Sequence, residues 1–149
     1  MSKNSAIITL AISMILTMII ANKSFGLNKV EGDSMYPTYK NGQYIVIGKS
    51  DYKKSKPLVN DVIAFKVNNT SYIKRIIAIE GNIVDYKDGY IAIDNIPTIK
   101  TEFIGNIKYP IRIEQDQYFV IGDNYNNSRD SRLVDIGLVN INSIAGKVK

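Results

Sequence analysis

The chain contains no histidine, no cysteine and no tryptophan. Without cysteine there is no disulfide, no thiolate-held zinc and no thiol nucleophile, and nothing to mis-oxidise outside a membrane. Without histidine there is no Ser-His-Asp triad, no imidazole-bound metal and no imidazole acid or base. Any general base must be Lys, Asp, Glu or Tyr. Helical periodicity is missing outside the N-terminal segment, and no repeat or low-complexity tract is present.

A length of 149 residues allows one compact domain and little more. The net charge of +5, from 19 Lys and Arg against 14 Asp and Glu, suits anionic partners such as nucleic acid or lipid headgroups. The basic residues are scattered, with Lys53-Lys54-x-Lys56 as a short cluster. No nucleic-acid motif or aromatic-basic stripe accompanies them, so nucleic acid is not an expected partner.

Ala6–Ala21 is uncharged, rich in Ile, Leu, Met and Ala, and bracketed by Lys3 and Lys23. It falls short of the ~20 residues of a full span, and Asn4, Ser5 and Asn22 extend it as interfacial residues. The expectation is an uncleaved single-pass anchor over residues 1–23. The competing reading is a cleaved secretory signal, for which the bulky Ile19 occupies a position that wants a small residue. The two flanking lysines leave orientation open.

From Val30 onward the pattern is β: apolar runs of Ile, Val, Tyr and Phe separated by turn signals. Strands are expected over Gln43–Ile47, Val62–Val67, Ser71–Ile79, Asn82–Tyr86, Tyr90–Asp94, Gln117–Ile121 and Ser143–Val148. Asn68-Asn69-Thr70 and Lys87-Asp88-Gly89 read as hairpin turns. Lys23–Lys29 reads as a short polar exit. The predicted architecture is mostly β: one compact β-rich domain over 24–149 behind an N-terminal transmembrane helix.

Three segments carry candidate chemistry. In Gly32-Asp33-Ser34-Met35-Tyr36-Pro37-Thr38, Gly gives backbone freedom and Pro stiffens the exit, which can present a hydroxyl on a rigid turn. Taken alone, an ordinary loop explains it as well or better. In the strand around Lys74, alternation places the lysine on the face of Tyr72, Ile76 and Ala78. A desolvated Lys loses proton affinity and becomes a competent base. Bringing it from ~10.4 into the working range takes roughly 2–3 units, about 3–4 kcal/mol. Arg75 points to the other face and adds like charge, pushing the same way. The bland alternative is an edge lysine reaching solvent. The third segment, Gly122–Arg132, is a dense polar loop after an apolar strand, in which Asp130 and Arg132 are spaced to pair. A calcium loop is the alternative there, but the EF-hand pattern fails for want of Gly at position six and Glu at position twelve.

In order and together, these segments resemble the boxes of bacterial type I signal peptidases. Gly32, Ser34, Met35, Pro37 and Thr38 match that family's G-x-S-M-x-P-T; Asn60–Phe65 is similar to its G-D-I-V-x-F. Tyr72–Asn82 resembles its Y-V-K-R-I-I-G-L-P-G-D, and Gly122–Arg132 meets G-D-N-x-x-x-S-x-D-S-R. Ile144–Lys147 resembles its closing I-x-G-K. The resemblance implies a related β fold and a serine endopeptidase that removes signal peptides after small-x-small sites. It makes Ser34 the nucleophile and Lys74 the base. Ser128 would hydrogen-bond the Lys74 amine, Asp130 and Arg132 would form a salt bridge, and Asp123 would be a structural contributor. The Ser34 N–H would serve an oxyanion hole.

Some members carry a Ser where Gly32 stands. Its side-chain donor is absent here, and one lost donor can be worth roughly 3 kcal/mol. Ala78, Glu80 and Tyr125 also depart from the boxes, as does Asn60. The stretch 83–117 is too short for the second β domain of larger members and leaves room for a minimal insertion. Met35, Tyr36 and Pro37 are candidates for a substrate or membrane rim, with a core role for Met35 and Tyr36 equally open. No metal or cofactor is expected. The implied partners are signal peptides and a lipid bilayer, with the catalytic domain on the extracytoplasmic side. The rival families are self-cleaving repressors, which also use Ser-Lys chemistry, and a non-enzymatic tethered β module.

Overall fold

The computed structural model describes residues 3–49, 51–53 and 55–149, and within the first helix the side chains of residues 5–18. Of the basic cluster, Lys54 and the Lys53 side chain lie outside the described residues.

The chain opens with helix α1, Lys3–Ser24. Its side chains Ile7, Ile8, Leu10, Ile12, Met14, Ile15, Leu16 and Met18 are all exposed, so the helix is apolar on every side rather than amphipathic. Thr9 and Thr17 turn their hydroxyls back onto the Ser5 and Ser13 carbonyls, both at 2.9 Å, which hides the polar groups against the helix itself. Among the described residues no helix is long and apolar enough to cross a membrane. The expected span Ala6–Ala21 lies within α1, and its side chains past Met18 fall outside the described ones.

Among the described residues eleven strands follow. They are β1 (Phe25–Lys29), β2 (Tyr44–Gly48), β3 (Val62–Val67), β4 (Thr70–Ala78), β5 (Ile83–Lys87), β6 (Tyr90–Ile93), β7 (Ile96–Lys100), β8 (Ile111–Arg112), β9 (Gln117–Ile121), β10 (Val139–Asn140) and β11 (Ile144–Val148). They make two antiparallel sheets. The larger has the order β1-β2-β11-β3-β4-β9-β10; the smaller, β7-β6-β5-β8, occupies the stretch expected to be a minimal insertion. The molecule is therefore mostly β, as the apolar runs predict.

Hairpin turns follow side chains that tolerate positive φ. Asn68 and Asn69 (φ 48° and 65°) join β3 to β4, Asp88 and Gly89 (52° and 82°) join β5 to β6, and Asp94 and Asn95 (51° and 67°) join β6 to β7. The third turn and the strand after it escape the sequence pattern, as do β8 and β10, which are two residues long. Strand β1 replaces the expected polar exit. Gly26 and Asn28 lie opposite the buried Ile47 and Ile45, with Asn28 on the cleft, while Phe25 and Leu27 are exposed. The strand shows no apolar alternation because the face it shares with Ile45 and Ile47 borders a cleft and not a core.

Both faces of the large sheet are packed. Val30, Met35, Ile45, Ile47, Val62, Ala64 and Val148 form one cluster; Ile63, Phe65, Ile76, Tyr118, Val120, Ile136 and Val139 form another. A third, built on Ala78, Val84, Ile91, Ile113, Phe119 and Ile121, joins the two sheets. The bulge in β11 between Ile144 and Gly146 lets the chain pass close to β2. A Cβ on Gly146 would stand 2.4 Å from the Gly48 carbonyl oxygen, a backbone atom that cannot swing aside. Gly146→Ala is expected to lower the unfolding free energy by about 1–3 kcal/mol, read from the urea midpoint at unchanged m-value.

Candidate active site

Ser34 sits on a tight turn between β1 and β2. The turn is closed by Tyr36 N–H donating to Asp33 O (3.0 Å) and Tyr39 N–H to Met35 O (2.9 Å). Met35, fully buried in the first apolar cluster, pins it to the sheet. Gly32 has φ +83° with open space where a Cβ would go, so backbone conformation and not crowding calls for glycine. From the other side Asn124 donates its N–H to Ser34 O (3.0 Å) and its amide to Asp33 O (3.1 Å). The polar loop after β9 thus holds the serine turn by its backbone.

Lys74 comes from the middle of β4, with Ile63 opposite it on β3. Its side chain is 3% exposed. Nζ donates to Ser34 Oγ and to Ile73 O, both at 2.7 Å. Burial drives its pKa from 10.5 down to about 8, against the opposing pull of the Asp130 and Asp123 carboxylates. The structure therefore brings Ser34 and Lys74 into direct contact from positions 40 residues apart.

Arg75 does not act as the expected free like charge. Its Nε and Nη2 grip Asp123 Oδ1 and Oδ2 at 2.8 and 2.6 Å, and Nη1 donates to Asn60 O at 2.9 Å. The Thr38 hydroxyl also donates to Asp123. These contacts hold the Asp123 carboxyl below its usual range despite partial burial. Sequence reasoning did not assign this role to Arg75 or to Thr38, although both lie inside the matched boxes. Only the register of β4 against β9, Arg75 opposite Ile121, places Asp123 within reach.

Asp130 and Arg132 pair as their spacing predicts, at 2.8 and 2.7 Å through both carboxylate oxygens, with both side chains 0% exposed. Asp130 also accepts the Gly122 N–H (3.1 Å), and Arg132 Nη1 donates to Tyr125 O (2.7 Å) and Phe103 O (2.9 Å). Ser128 departs from expectation. Its Oγ is buried with no hydrogen-bond partner among the described residues, and the Lys74 amine is directed to Ser34 and Ile73 instead. Met35 is core, so of the proposed rim only Tyr36 and Pro37 are exposed. A burial role wins for Met35 because the turn places it over Ile45 and Ala64.

The pair opens onto a cleft of about 890 Å³. Two continuous stretches, 28–34 and 70–74, line it, with Ile45, Ile47, Ala64 and Ala145 among its apolar residues. Among the described residues no group of acidic side chains is arranged to hold a metal ion.

The lysine's environment makes a stability prediction independent of catalysis. Its pKa in the folded state, about 8, lies below the 10.5 of the free side chain. Below pH 8 the buried charge destabilises the fold in full. Between 8 and 10.5 the unfolded chain binds more protons than the folded one, so stability rises with pH. Relative to Lys74→Met, the wild type should gain on the order of 3 kcal/mol across that interval, measured as the difference between their urea unfolding free energies.

Comparison with known proteins places the chain in a family. The family model described as "Signal peptidase, peptidase S26" matches residues 3–149. Signal peptidase I of Bacillus amyloliquefaciens is 30% identical across 99% of this chain and 89% of its own length. Signal peptidase I S of Bacillus subtilis is 29% identical across 94% of this chain and 83% of its own. The crystal structure of a signal peptidase I from Enterococcus faecalis superposes with a TM-score of 0.50 at 25% identity, covering 64% of this chain and 98% of that one. With a family match that runs through both sheets and every segment around Ser34 and Lys74, this chain belongs to the signal peptidase family.

Proposed function

We propose that the protein is a membrane-bound serine endopeptidase that removes signal peptides from exported preproteins through a Ser34–Lys74 pair. The observation that supports this most is the 2.7 Å contact between a buried amine of lowered pKa and a serine hydroxyl at the mouth of a cleft. In a chain without histidine, no imidazole can take the base's role.

With a pKa of about 8, about a tenth of the Lys74 amines are neutral at pH 7. In that fraction the contact reverses: Ser34 O–H donates to the amine lone pair. As Oγ attacks the peptide carbonyl, its proton passes to Nζ, and the Ser34 N–H is the candidate donor to the oxyanion. The ammonium then protonates the leaving amine, releasing the mature chain and leaving an acyl-enzyme. Neutral again, Lys74 takes a proton from water as the water oxygen attacks the acyl carbon, then returns it to Ser34 Oγ as the ester bond breaks and the signal peptide leaves. Ser128 remains a candidate for orienting the amine, its unpartnered Oγ being free to turn when the substrate arrives.

An extended peptide laid between stretches 28–34 and 70–74 would present alternate side chains to the apolar residues of the cleft, which suits small residues at every second position. The organisation proposed is an anchor over 1–23 and a peptidase domain over 24–149 on the extracytoplasmic side. The exposed apolar surface of α1 supports it. Ser34 is tethered within at most about 36 Å of Lys23, at ~3.3 Å per residue, close to where a membrane-borne substrate emerges.

Cleavage of a preprotein in liposomes, mapped by mass spectrometry, tests the mechanism. Wild type is expected to cut once after a small-x-small site, with Ser34→Ala and Lys74→Ala slower by roughly three orders of magnitude or more. Wild-type rates in Lys74→Ala would end the dyad reading. For wild type, kcat/KM is expected to climb with pH through about 8, where Lys74 loses its proton. Deleting residues 1–24 should abolish co-flotation with liposomes while sparing cleavage of a soluble peptide.

A further inference from the structure

A buried hydroxyl outside the pair stands where the small sheet meets the polar loop. Thr101 follows β7 and is 3% exposed. Its N–H donates to Gly89 O at 3.0 Å, which ties it to the β5–β6 turn. Its Oγ1 lies 2.9 Å from Asn126 Oδ1 and accepts from Phe103 N–H at 3.1 Å and from Arg132 Nη1 at 3.3 Å. Donating to Asn126 and accepting from the other two uses the one proton and both lone pairs of a hydroxyl. Asn126 Oδ1 also takes the Glu102 N–H, at 3.1 Å.

The loop 122–132 has no strand of its own; Asp123 and Asn124 tie its start to Arg75 and the serine turn, and these contacts with the Asp130–Arg132 pair tie the rest of it to the small sheet. That position matters for the amine. The pairing of Arg75 with Ile121 brings the next residue, Gly122, alongside Lys74. A Cβ there would lie 2.2 Å from Ser128 Oγ and 2.3 Å from Ser34 O, so loop and serine turn pack without slack. Lys74, opposite Gly122 in this register, is 3% exposed.

We propose that Thr101 is a positioning residue for the Ser34–Lys74 chemistry: from the small sheet its hydroxyl pins the 122–132 loop through Asn126 and Arg132 and keeps the amine dry. The inference rests on the dyad reading above. The charged groups around the amine are Asp130 and Asp123, each gripped by an arginine (Arg132 and Arg75), together with the Tyr72 ring at 5.8 Å. Both carboxylates stay paired when the loop loosens, so the first change is hydration of the amine, which raises its affinity for a proton.

The test uses the full chain and pH profiles of kcat/KM on a preprotein substrate, with melting temperature alongside. Thr101→Val keeps the shape and deletes the hydroxyl; Thr101→Ser keeps the hydroxyl. The expected result for Thr101→Val is an acid limb moved up by about one pH unit, roughly a tenfold loss at pH 7, with much of the high-pH plateau retained. Thr101→Ser should return the limb to its wild-type place. A Thr101→Val limb that does not move, or a loss by the same factor at every pH, overturns the proposal and leaves Thr101 a structural residue. Should Thr101→Val not fold, Asn126→Ala removes the hydroxyl's acceptor from an exposed residue. A shifted limb there supports the proposal and an unshifted one overturns it. Ser34→Ala and Lys74→Ala run in parallel. If they remain active, the dyad reading fails and Thr101 with it. If they are dead while the Thr101→Val limb stays put, Thr101 alone is wrong.

Discussion

The buried pair of Asp130 and Arg132 is the contact on which the rest of the site depends. Two opposite charges at 0% exposure face a desolvation penalty that their attraction offsets only when every remaining donor and acceptor is satisfied. Here they are: the carboxylate takes the Gly122 N–H, and the guanidinium reaches Tyr125 O, Phe103 O and the Thr101 hydroxyl while its face lies 4.7 Å from the Phe103 ring. Those partners come from three parts of the chain. The pair therefore ties the end of β9, the polar loop and the segment after β7 into one unit, and it does so beneath the Ser34 turn.

Lys74 is governed by a competition that the same pair helps to set. Burial favours the neutral amine, and the carboxylates of Asp130 and Asp123 favour the ammonium. Burial wins, but incompletely, because each carboxylate is already held by an arginine at hydrogen-bond distance. A free carboxylate in either place would hold the proton on the lysine; without Asp130, Arg132 would be left as an uncompensated buried charge. The result is an amine that changes protonation near neutral pH, where a general base is useful.

The fold reaches this arrangement with little material. The small sheet, occupying a stretch too short for a separate domain, shares the Ala78–Phe119–Ile121 cluster with the large sheet and so has no independent core. Its contribution is the placement of Thr101 and Phe103 under the loop. At the other end, α1 leads directly into β1, the edge strand of the large sheet, and the cleft is lined from Asn28 onward.

The sequence by itself determined the chemistry available and where most of the longer strands lie along the chain. The absence of histidine restricts the base to Lys, Asp, Glu or Tyr, and the matched boxes single out Lys74. Alternation around Lys74 and the continuous apolar runs at Val62–Val67 and Gln117–Ile121 give strands whose bounds match those observed to within a residue, because both patterns are local: one face buried in β4, both faces buried in β3 and β9. Box by box, Ser34, Lys74, Asp123, Ser128, Asp130 and Arg132 were legible as candidates. Their connections were a matter of tertiary structure. Which carboxylate meets which arginine follows from the register of β4 against β9, so Arg75 becomes a partner of Asp123 and not a loose like charge. Met35 proved to be core because the turn folds over β2 and β3, a contact across the sheet that no local pattern encodes. Strand β1 stayed hidden because its inner face borders an open cleft, where small and polar residues replace the apolar ones that mark a strand. Ser128 was placed by its box but has no hydrogen-bond partner among the described residues. The direction of the Lys74 amine is set by the packing around it, which depends on the whole sheet.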